Sequence, residues 1–222
     1  MVQQIKSEVL DNRRAGDYHV LSLTAPGIAE SVQPGHFVTI AMGGEESSMV
    51  LRRAFAIHQV ASRGVYGGTL DIAISVAGTG TEWLARKRRH DVLNVVGPLG
   101  QPFSLPKQGV SCVLVGGGYG SAPMFILAQA LRERGCRVDM VIGASTENRL
   151  FGVLELKRLS SALTITTDDG VSRSIQCEEC DGVVAVRHGC ADRGEVRPQV
   201  GVVHHEACMR ACDARRAKMA VR

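Results

Sequence analysis

Four glycines near the middle of the chain have the composition of a phosphate-binding loop. They are Gly116, Gly117, Gly118 and Gly120, set between an apolar run at 112–115 and an amphipathic stretch at 122–134. This order predicts a buried strand, a glycine loop and a helix. Glycines let the backbone approach a pyrophosphate closely, and free amides at a helix N-terminus face its negative charge. The segment therefore predicts a dinucleotide site or, alternatively, a tight strand-to-helix turn without a ligand.

Two adjacent arginines, Arg52 and Arg53, enter an apolar pattern that is typical of a strand. A guanidinium close to the interior of a sheet needs a partner, and phosphate suits its planar fork of donors. The pair therefore predicts an anion site. The alternative is a solvated pair at the edge of a strand.

A third polar segment, Gly-Thr-Gly-Thr at 78–81, precedes a short helical pattern. Its amides and hydroxyls have the chemistry to hold a phosphate ahead of the helix. The alternative is a plain turn from a strand into that helix. Alone, this segment does not decide between the two.

Five runs of alternating apolar residues in the first hundred residues predict short strands, because turn signals with Gly and Pro separate them. The runs lie at 18–23, 37–42, 55–60, 70–76 and 92–96. Their spacing indicates a small barrel or sandwich. A short helix is expected to begin at Thr81.

The pattern changes after residue 110, where strands begin to alternate with helices. Strands are predicted at 112–115, 138–143 and 163–167, and helices at 122–134 and 150–159. This alternation indicates a parallel, doubly wound sheet. We place the boundary between the two parts near 102–108.

Composition excludes several classes of protein. Hydrophobic residues make up 45% of the 222 residues and charged residues 22%, which is ordinary for a globular protein. The net charge of +4 is spread along the chain without a basic stripe, so a nucleic-acid partner is not expected. No stretch has the roughly 18 apolar residues of a membrane span or resembles a signal sequence, so a cytoplasmic protein is expected.

The segment 171–222 breaks the pattern, because it contains no Leu, Phe, Tyr or Trp. Three interpretations remain open: an aberrant terminus such as an out-of-frame continuation, a substitute metal module, or a divergent extension with ordinary thiols. In the first case the segment would be disordered or would not complete the preceding domain. The residues with metal-ligating chemistry are Cys177, Cys180, Cys190, His204, His205, Cys208 and Cys212.

Taken together and in this order, the motifs resemble those of the ferredoxin-reductase-type flavoprotein family. More narrowly, they are similar to those of the electron-transfer subunits of the dihydroorotate dehydrogenases that use NAD. The resemblance covers about residues 5–170. The matching stretches are 34–38, 51–57, 78–81, 97–103, 115–123, 143–151 and 167–170.

The resemblance implies a six-stranded antiparallel FAD-binding β-barrel at 1–103 and an NAD-binding α/β domain at 108–170, incomplete where 171–222 begins. It implies that the chain oxidises NADH through FAD, while the protein supplies geometry and electrostatics to the cofactor. Electrons would leave through a [2Fe–2S] cluster. The acceptor would be a catalytic, FMN-containing dihydroorotate dehydrogenase subunit of pyrimidine biosynthesis, held in a hetero-oligomer.

The resemblance also assigns roles to residues. Arg53 would pair with the FAD pyrophosphate, and the flavin and its phosphates would be lined by Arg53, Ala54, Phe55 and Ala56. Main-chain contacts would come from Ala73, Ile74 and Ser75, and phosphate amides and a hydroxyl from Gly80 and Thr81. The nicotinamide nucleotide would face Gly116, Gly117, Gly118 and Gly120.

Two features depart from the family pattern. Ala56 stands where members usually have Ser or Thr, so the resemblance does not extend to one side-chain hydrogen bond to the flavin ring. The spacing of the cysteines in 171–222 does not reproduce the [2Fe–2S] motif. Alternative functions are a diaphorase subunit for a hydrogenase, sulfite or ferredoxin system, a truncated copy that binds nucleotide without turnover, and a zinc-binding interaction protein.

Overall fold

The computed structural model describes residues 1–43, 48–61, 67–107 and 109–169, together with the backbone of two short strands at 173–175 and 201–204. The chain divides into two compact units. The first comprises Met1–Ser104 with Phe125–Leu127, and the second comprises the other described residues from Leu105 onward.

The first unit is a closed barrel of six strands. They are β1 (Gln3–Ala15), β2 (Tyr18–Thr24), β3 (Phe37–Ile40), β4 (Arg53–Ala61), β5 (Thr69–Ser75) and β6 (Val92–Leu99). Their order around the barrel is β1-β2-β5-β4-β3-β6, and every neighbouring pair is antiparallel. One helix, α1 (Thr79–Ala85), follows β5 in the chain. The predicted six-stranded antiparallel barrel is confirmed.

Alternation of apolar residues fills the barrel interior, because successive side chains of a strand point to opposite faces. Inward side chains from five strands are at most 1% exposed: Leu21, Leu23, Ile40, Ile57, Ile72 and Leu93. Each buried side chain of this size stabilises the fold by about 1.5–3 kcal/mol.

Strand β1 is not among the five strands predicted from apolar alternation, because its inward positions are not uniformly apolar. Ser7 is 1% exposed, and its hydroxyl donates a hydrogen bond of 2.5 Å to the carbonyl of Thr24. The backbone N–H of Glu8 in turn donates to Thr24 Oγ1 at 2.9 Å. Polar pairing between β1 and the end of β2 therefore replaces the apolar alternation that marks the other strands.

The second unit is a five-stranded sheet with helices. Its elements are β7 (Ser111–Gly117), α2 (Met124–Glu133), β8 (Arg137–Ala144), α3 (Val153–Leu159), β9 (Ala162–Thr167), β10 (Arg173–Ile175) and β11 (Gly201–His204). The sheet order is β10-β9-β8-β7-β11. The three central strands are parallel, and β10 and β11 pair antiparallel at the two edges. This confirms the predicted parallel sheet with alternating helices.

The three parallel strands end at one edge of the sheet. Gly117 at the end of β7 pairs with Gly143 of β8, and Ala144 at the end of β8 pairs with Thr167 of β9. In open sheets of this kind, ligands bind outside the carboxyl ends of the strands. This edge carries the glycine loop, which directly follows β7.

Two strands of the segment 171–222 are described, and both lie at edges of the sheet. The cysteines for which we predicted metal or cluster ligation lie outside the described residues, as does His205, and only the backbone of His204 in β11 is described. The three interpretations of this segment therefore stay predictions. In the described part of the chain, no helix is long and apolar enough to span a bilayer.

Candidate functional site

Strands β4 and β5 part at one end of the barrel. Their ladder runs from Ala61 and Thr69 to Ile57 and Ile72, and within these two described strands it does not continue into 53–56 and 73–75. Each strand end keeps its partner on the other side, β3 for β4 and β2 for β5. The barrel wall therefore opens between these two strand ends, where backbone groups are not joined to each other by ladder hydrogen bonds.

Seven of the residues predicted for a flavin site border this opening. They are Arg53, Ala54, Phe55, Ala56, Ala73, Ile74 and Ser75. Phe55 and Ile74 are 4% and 0% exposed, and their side chains belong to the barrel core. For these two, only the main chain can meet a ligand, whereas Arg53, Ala54 and Ser75 are exposed at the surface.

The first turn of α1 lies at the same end of the barrel, because it follows the end of β5 after three residues. Gly80 is buried there: a Cβ at this position would lie 3.4 Å from Met42 Cγ and 3.8 Å from Met49 Sδ. Met42 and Met49 flank the connection that leads into β4. A Cβ on Gly78, by contrast, would meet no heavy atom within 4 Å. The turn is thus packed on one side and open on the other.

Thr81 holds this turn in place. Its hydroxyl oxygen accepts hydrogen bonds from the backbone N–H groups of Ala77 (2.9 Å) and Gly78 (3.2 Å), and the hydroxyl donates to the carbonyl of Gly78 (3.0 Å). The hydroxyl is therefore engaged within the protein. An anion at this turn would meet mainly the amides that begin the helix, which have no intrahelical acceptor.

The two adjacent arginines occupy different environments. Arg52 is half-buried, and its guanidinium donates to the carbonyls of Thr39 and Asn94 (3.3 and 3.2 Å) and to Asn94 Oδ1 (2.5 Å). Arg53 is exposed, and among the described residues its guanidinium makes a long hydrogen bond of 3.4 Å to the carbonyl of Leu51. The fork of Arg53 is thus the one presented to solvent, next to the opening between β4 and β5.

The glycine loop of the second unit combines close packing with an open face. A Cβ on Gly116 would lie 3.1 Å from Ser121 Cα and 3.3 Å from Met124 Cγ, so this glycine permits close contact between β7 and the turn before α2. Gly117 is exposed, and a Cβ there would meet nothing within 4 Å. Gly118 has a positive φ of 49°, and Gly120 is buried in the following turn. The open face lies at the edge where the parallel strands end.

The polar residues that support these segments were not predicted from the sequence. Ser121 is 2% exposed, and its hydroxyl donates to the carbonyls of Gly118 (2.8 Å) and Phe151 (3.3 Å), which ties the glycine loop to the start of α3. Asn94 anchors Arg52. Small polar residues of this kind carry no periodic signal, so only the structure reveals them. In the described part of the chain, no group of three or more His, Cys, Asp or Glu side chains could hold a metal ion.

Two electron transfer subunits are among the known proteins to which this chain is similar. The chain is 33% identical over 156 residues to the dihydroorotate dehydrogenase B (NAD(+)) electron transfer subunit of Desulforamulus reducens. The aligned residues make up 70% of this chain and 58% of that protein. It is 35% identical over 147 residues to a homolog of that subunit in Thermotoga maritima, over 66% of this chain and 49% of that protein. The chain thus matches about half of the length of these relatives. No family model matches the chain.

The chain is also similar to a solved structure. The NADH-dependent reduced ferredoxin–NADP oxidoreductase is 28% identical to this chain with a TM-score of 0.65, over 77% of this chain and 59% of that one. The matching motifs, the closed barrel and the parallel sheet agree with these relatives. The chain is therefore similar in sequence to the electron transfer subunits of dihydroorotate dehydrogenase B, and it has the fold of the ferredoxin-reductase-type proteins.

Proposed function

We propose that this chain is an electron-transfer flavoprotein subunit that binds FAD, oxidises NADH and passes the electrons to a partner dehydrogenase. The observation that carries the proposal is the opening between β4 and β5, with the exposed fork of Arg53 and the first turn of α1 at the same end of the barrel. This arrangement offers backbone groups for a flat ring and positive charge for a pyrophosphate.

The residues present fit FAD. The glycine at position 78 leaves an open face that a side chain would fill, and the Arg53 guanidinium is presented to solvent at the same end of the barrel. Arg53 would pair with the pyrophosphate, and the amides from Gly80 and Thr81 would face the same charge. Main-chain groups of 54–56 and 73–75 would orient the ring. Bound FAD would supply the redox chemistry, accepting a hydride from NADH and releasing electrons to an acceptor.

The second unit would hold the nicotinamide nucleotide. Gly116 and Gly120 let β7, the loop and α2 pack closely, while Gly117 and Gly118 leave room for the backbone to approach a pyrophosphate. No side chain is needed as an acid or base, because the protein's contribution is to position the nucleotide. We retain 1–103 and 108–170 as the ranges of the two proposed cofactor-binding domains.

The partner in this proposal is a catalytic, FMN-containing dihydroorotate dehydrogenase subunit, in a cytoplasmic hetero-oligomer. The names of the two relatives support it. A [2Fe–2S] cluster would require cysteines from 171–222, which lie outside the described residues, so we assign no step to it.

A second candidate is a diaphorase subunit that serves a different acceptor. The similarity to the NADH-dependent reduced ferredoxin–NADP oxidoreductase favours it. Reconstitution with each acceptor separates the two: electron transfer to ferredoxin but not to a dihydroorotate dehydrogenase catalytic subunit would favour this candidate.

The proposal is tested by the visible spectrum of the purified chain with added FAD, before and after anaerobic addition of NADH. Stoichiometric flavin bands that bleach with NADH are the expected result. A protein that stays colourless with FAD would overturn the flavin assignment. Bound flavin that dithionite reduces and NADH does not would instead indicate a nucleotide-binding copy without turnover.

Matched variants test whether the proposed residues are responsible. Arg53→Gln should weaken FAD binding roughly 10- to 100-fold, because it removes charged hydrogen bonds to phosphate. Arg134→Gln is the control, since Arg134 is an exposed arginine that follows α2 in the second unit. Equal effects of the two substitutions would count against a specific role for Arg53.

A further inference from the structure

We propose that Arg52 is a positioning residue for the flavin site, which acts by holding the backbone that presents Arg53. The inference rests on the proposed function, in which Arg53 pairs with the FAD pyrophosphate. It assigns different roles to two adjacent arginines, whereas the family resemblance gives a role to Arg53 alone.

The guanidinium of Arg52 belongs to a polar belt across four neighbouring strands of the barrel. It comes from the residue before β4 and donates to the Thr39 carbonyl in β3 and to the carbonyl and side-chain oxygen of Asn94 in β6. Asn94 Oδ1 also accepts a hydrogen bond of 3.1 Å from Gln4 Nε2 in β1. In the barrel order these strands are contiguous, so the belt ties the start of β4 to strands β3, β6 and β1.

These contacts leave Arg52 poorly suited to bind a ligand. Three acceptors already occupy its fork, and the side chain is half-buried. Moving the guanidinium to a phosphate would leave the Asn94 and Thr39 oxygens without this donor, which costs free energy for partly buried groups. Among the described residues nothing restrains Arg53 in a comparable way, because its hydrogen bond to the Leu51 carbonyl is long and its side chain is exposed.

The belt fixes the chain at the point where Arg53 needs it. Residue 53 is the first residue of β4, and its ladder partner is Ile40 at the end of β3. The residues before it lead from the connection between β3 and β4, so β-pairing restrains Arg53 on one side and the Arg52 anchor restrains it on the other. A backbone held in this way reduces the conformational entropy that Arg53 loses when it binds an anion.

A double-mutant cycle tests the proposal. Dissociation constants for FAD are measured by quenching of flavin fluorescence for the full chain and for Arg52→Lys, Arg53→Gln and the double variant. Arg52→Lys keeps the positive charge but replaces the planar fork, so it isolates geometry from charge. We expect it to weaken FAD binding about 10-fold in the wild-type background. At metal sites, mutation of the residues that orient the direct ligands lowers affinity by about this much. In the Arg53→Gln background we expect less than a 2-fold change.

The cycle separates positioning from a general structural role. If Arg52 merely stabilised the barrel, or contributed charge or a direct contact of its own, Arg52→Lys would have the same effect in both backgrounds or none in either. Each of these results would overturn the proposal. Circular dichroism of the apoprotein checks that the variants are folded at the temperature of the measurement.

Asn94 provides a second pair of variants if Arg52→Lys does not fold. Asn94→Ala removes the side-chain oxygen that accepts from Arg52 and Gln4, and it should weaken FAD binding in the same background-dependent manner. Asn94→Asp keeps an acceptor at this position and should restore affinity to within about 2-fold of wild type. Equal affinities of the Ala and Asp variants would contradict the proposal.

Failure of the inference and failure of the proposed function are distinguishable. If the wild-type chain binds no FAD, or Arg53→Gln leaves its affinity unchanged, the flavin assignment itself fails. If Arg53→Gln weakens binding and Arg52→Lys does so independently of residue 53, only the positioning role of Arg52 fails.

Discussion

Gly116 and Gly117 are consecutive residues at the end of β7, yet a side chain would meet opposite surroundings at the two positions. A Cβ on Gly116 would lie 3.1 Å from Ser121 Cα, whereas a Cβ on Gly117 would find no heavy atom within 4 Å. The first glycine therefore serves packing inside the unit. The second leaves space at the edge of the sheet where a nucleotide is proposed to bind.

This difference predicts separable effects for two matched substitutions. Gly117→Val adds its bulk to open space with a backbone (φ −111°, ψ 125°) that suits a β-branched residue, so the unfolding midpoint in urea should change little. Flavin should still bind, but the NADH concentration needed for half-maximal flavin reduction should rise at least about tenfold, because valine would obstruct the nucleotide. Anaerobic stopped-flow absorbance measures this reduction.

Gly116→Val is the contrasting variant. It forces side-chain atoms against Ser121 and Met124, so the free energy of unfolding should fall by about 1–3 kcal/mol. Urea titration followed by circular dichroism measures the change. If Gly117→Val proved the more destabilising of the two, the packing difference between the two glycines would be wrong. If it left NADH reduction unchanged, the open face would not be a nucleotide site.

Thr81 gives a prediction about the first turn of α1. Thr81→Val removes the oxygen that accepts from Ala77 and Gly78, so the turn should lose about 1 kcal/mol of stability and FAD affinity should fall with it. Thr81→Ser retains the hydroxyl and should bind FAD like wild type. Isothermal titration with FAD compares the two. A serine variant as weak as the valine variant would show that the hydroxyl is not what matters.

The architecture could be predicted from the sequence where the alternation of hydrophobic residues was strong. Five of the six barrel strands, both helices of the second unit and its three parallel strands follow from apolar periodicity and turn residues, because burial dictates both. The sixth strand came from the family resemblance. Strand β1 places Ser7 in a buried position and satisfies it with Thr24, a pairing between distant residues that no local pattern shows.

Only part of the candidate site could be predicted from the sequence. Residue types and the family resemblance predicted the glycine loop, Arg53 and the turn before α1 as site residues, but not the contacts that hold the Arg52 side chain. Arg52 and Arg53 differ because Asn94, 42 residues further along the chain, meets only one of them. Likewise, the ladder between β4 and β5 ends at Ile57 and Ile72, and no local sequence pattern marks that point.

His90 provides a prediction about backbone strain. It is the only described residue other than glycine with a positive φ (75°), a conformation that is costly for residues with a Cβ. Its Nδ1 lies 2.6 Å from Glu8 Oε1, but this pair is exposed and should contribute at most about 1 kcal/mol. Free energies of unfolding should therefore rank the variants His90→Gly at or above wild type and His90→Val lowest, with about 2 kcal/mol between the two.

Glu8→Gln is the control for the ion pair. It leaves the backbone of residue 90 unchanged and should alter the free energy of unfolding by less than about 1 kcal/mol. Urea titrations of the four proteins at one pH provide the comparison. A glutamine variant as unstable as His90→Val would assign the stability of this corner to the ion pair and not to the backbone.

Cys112 predicts a loss of stability at alkaline pH. Its side chain is fully buried in β7, and burial, with smaller contributions from the charge and hydrogen bond of Cys136, raises the pKa of the Cys112 thiol above its ordinary value of 9.0. The folded state thus retains this proton at a pH where the unfolded state releases it. The stabilising contribution is complete below pH 9 and is lost as the pH rises through the folded-state pKa. The free energy of unfolding should therefore decline above pH 9, and less steeply in Cys112→Ala.

Alkylation with iodoacetamide, followed by peptide mass mapping, gives an independent check, because Cys112 should react only when the protein is unfolded. Rapid labelling of Cys112 in native protein at pH 8, or identical pH profiles of wild type and Cys112→Ala, would contradict the prediction.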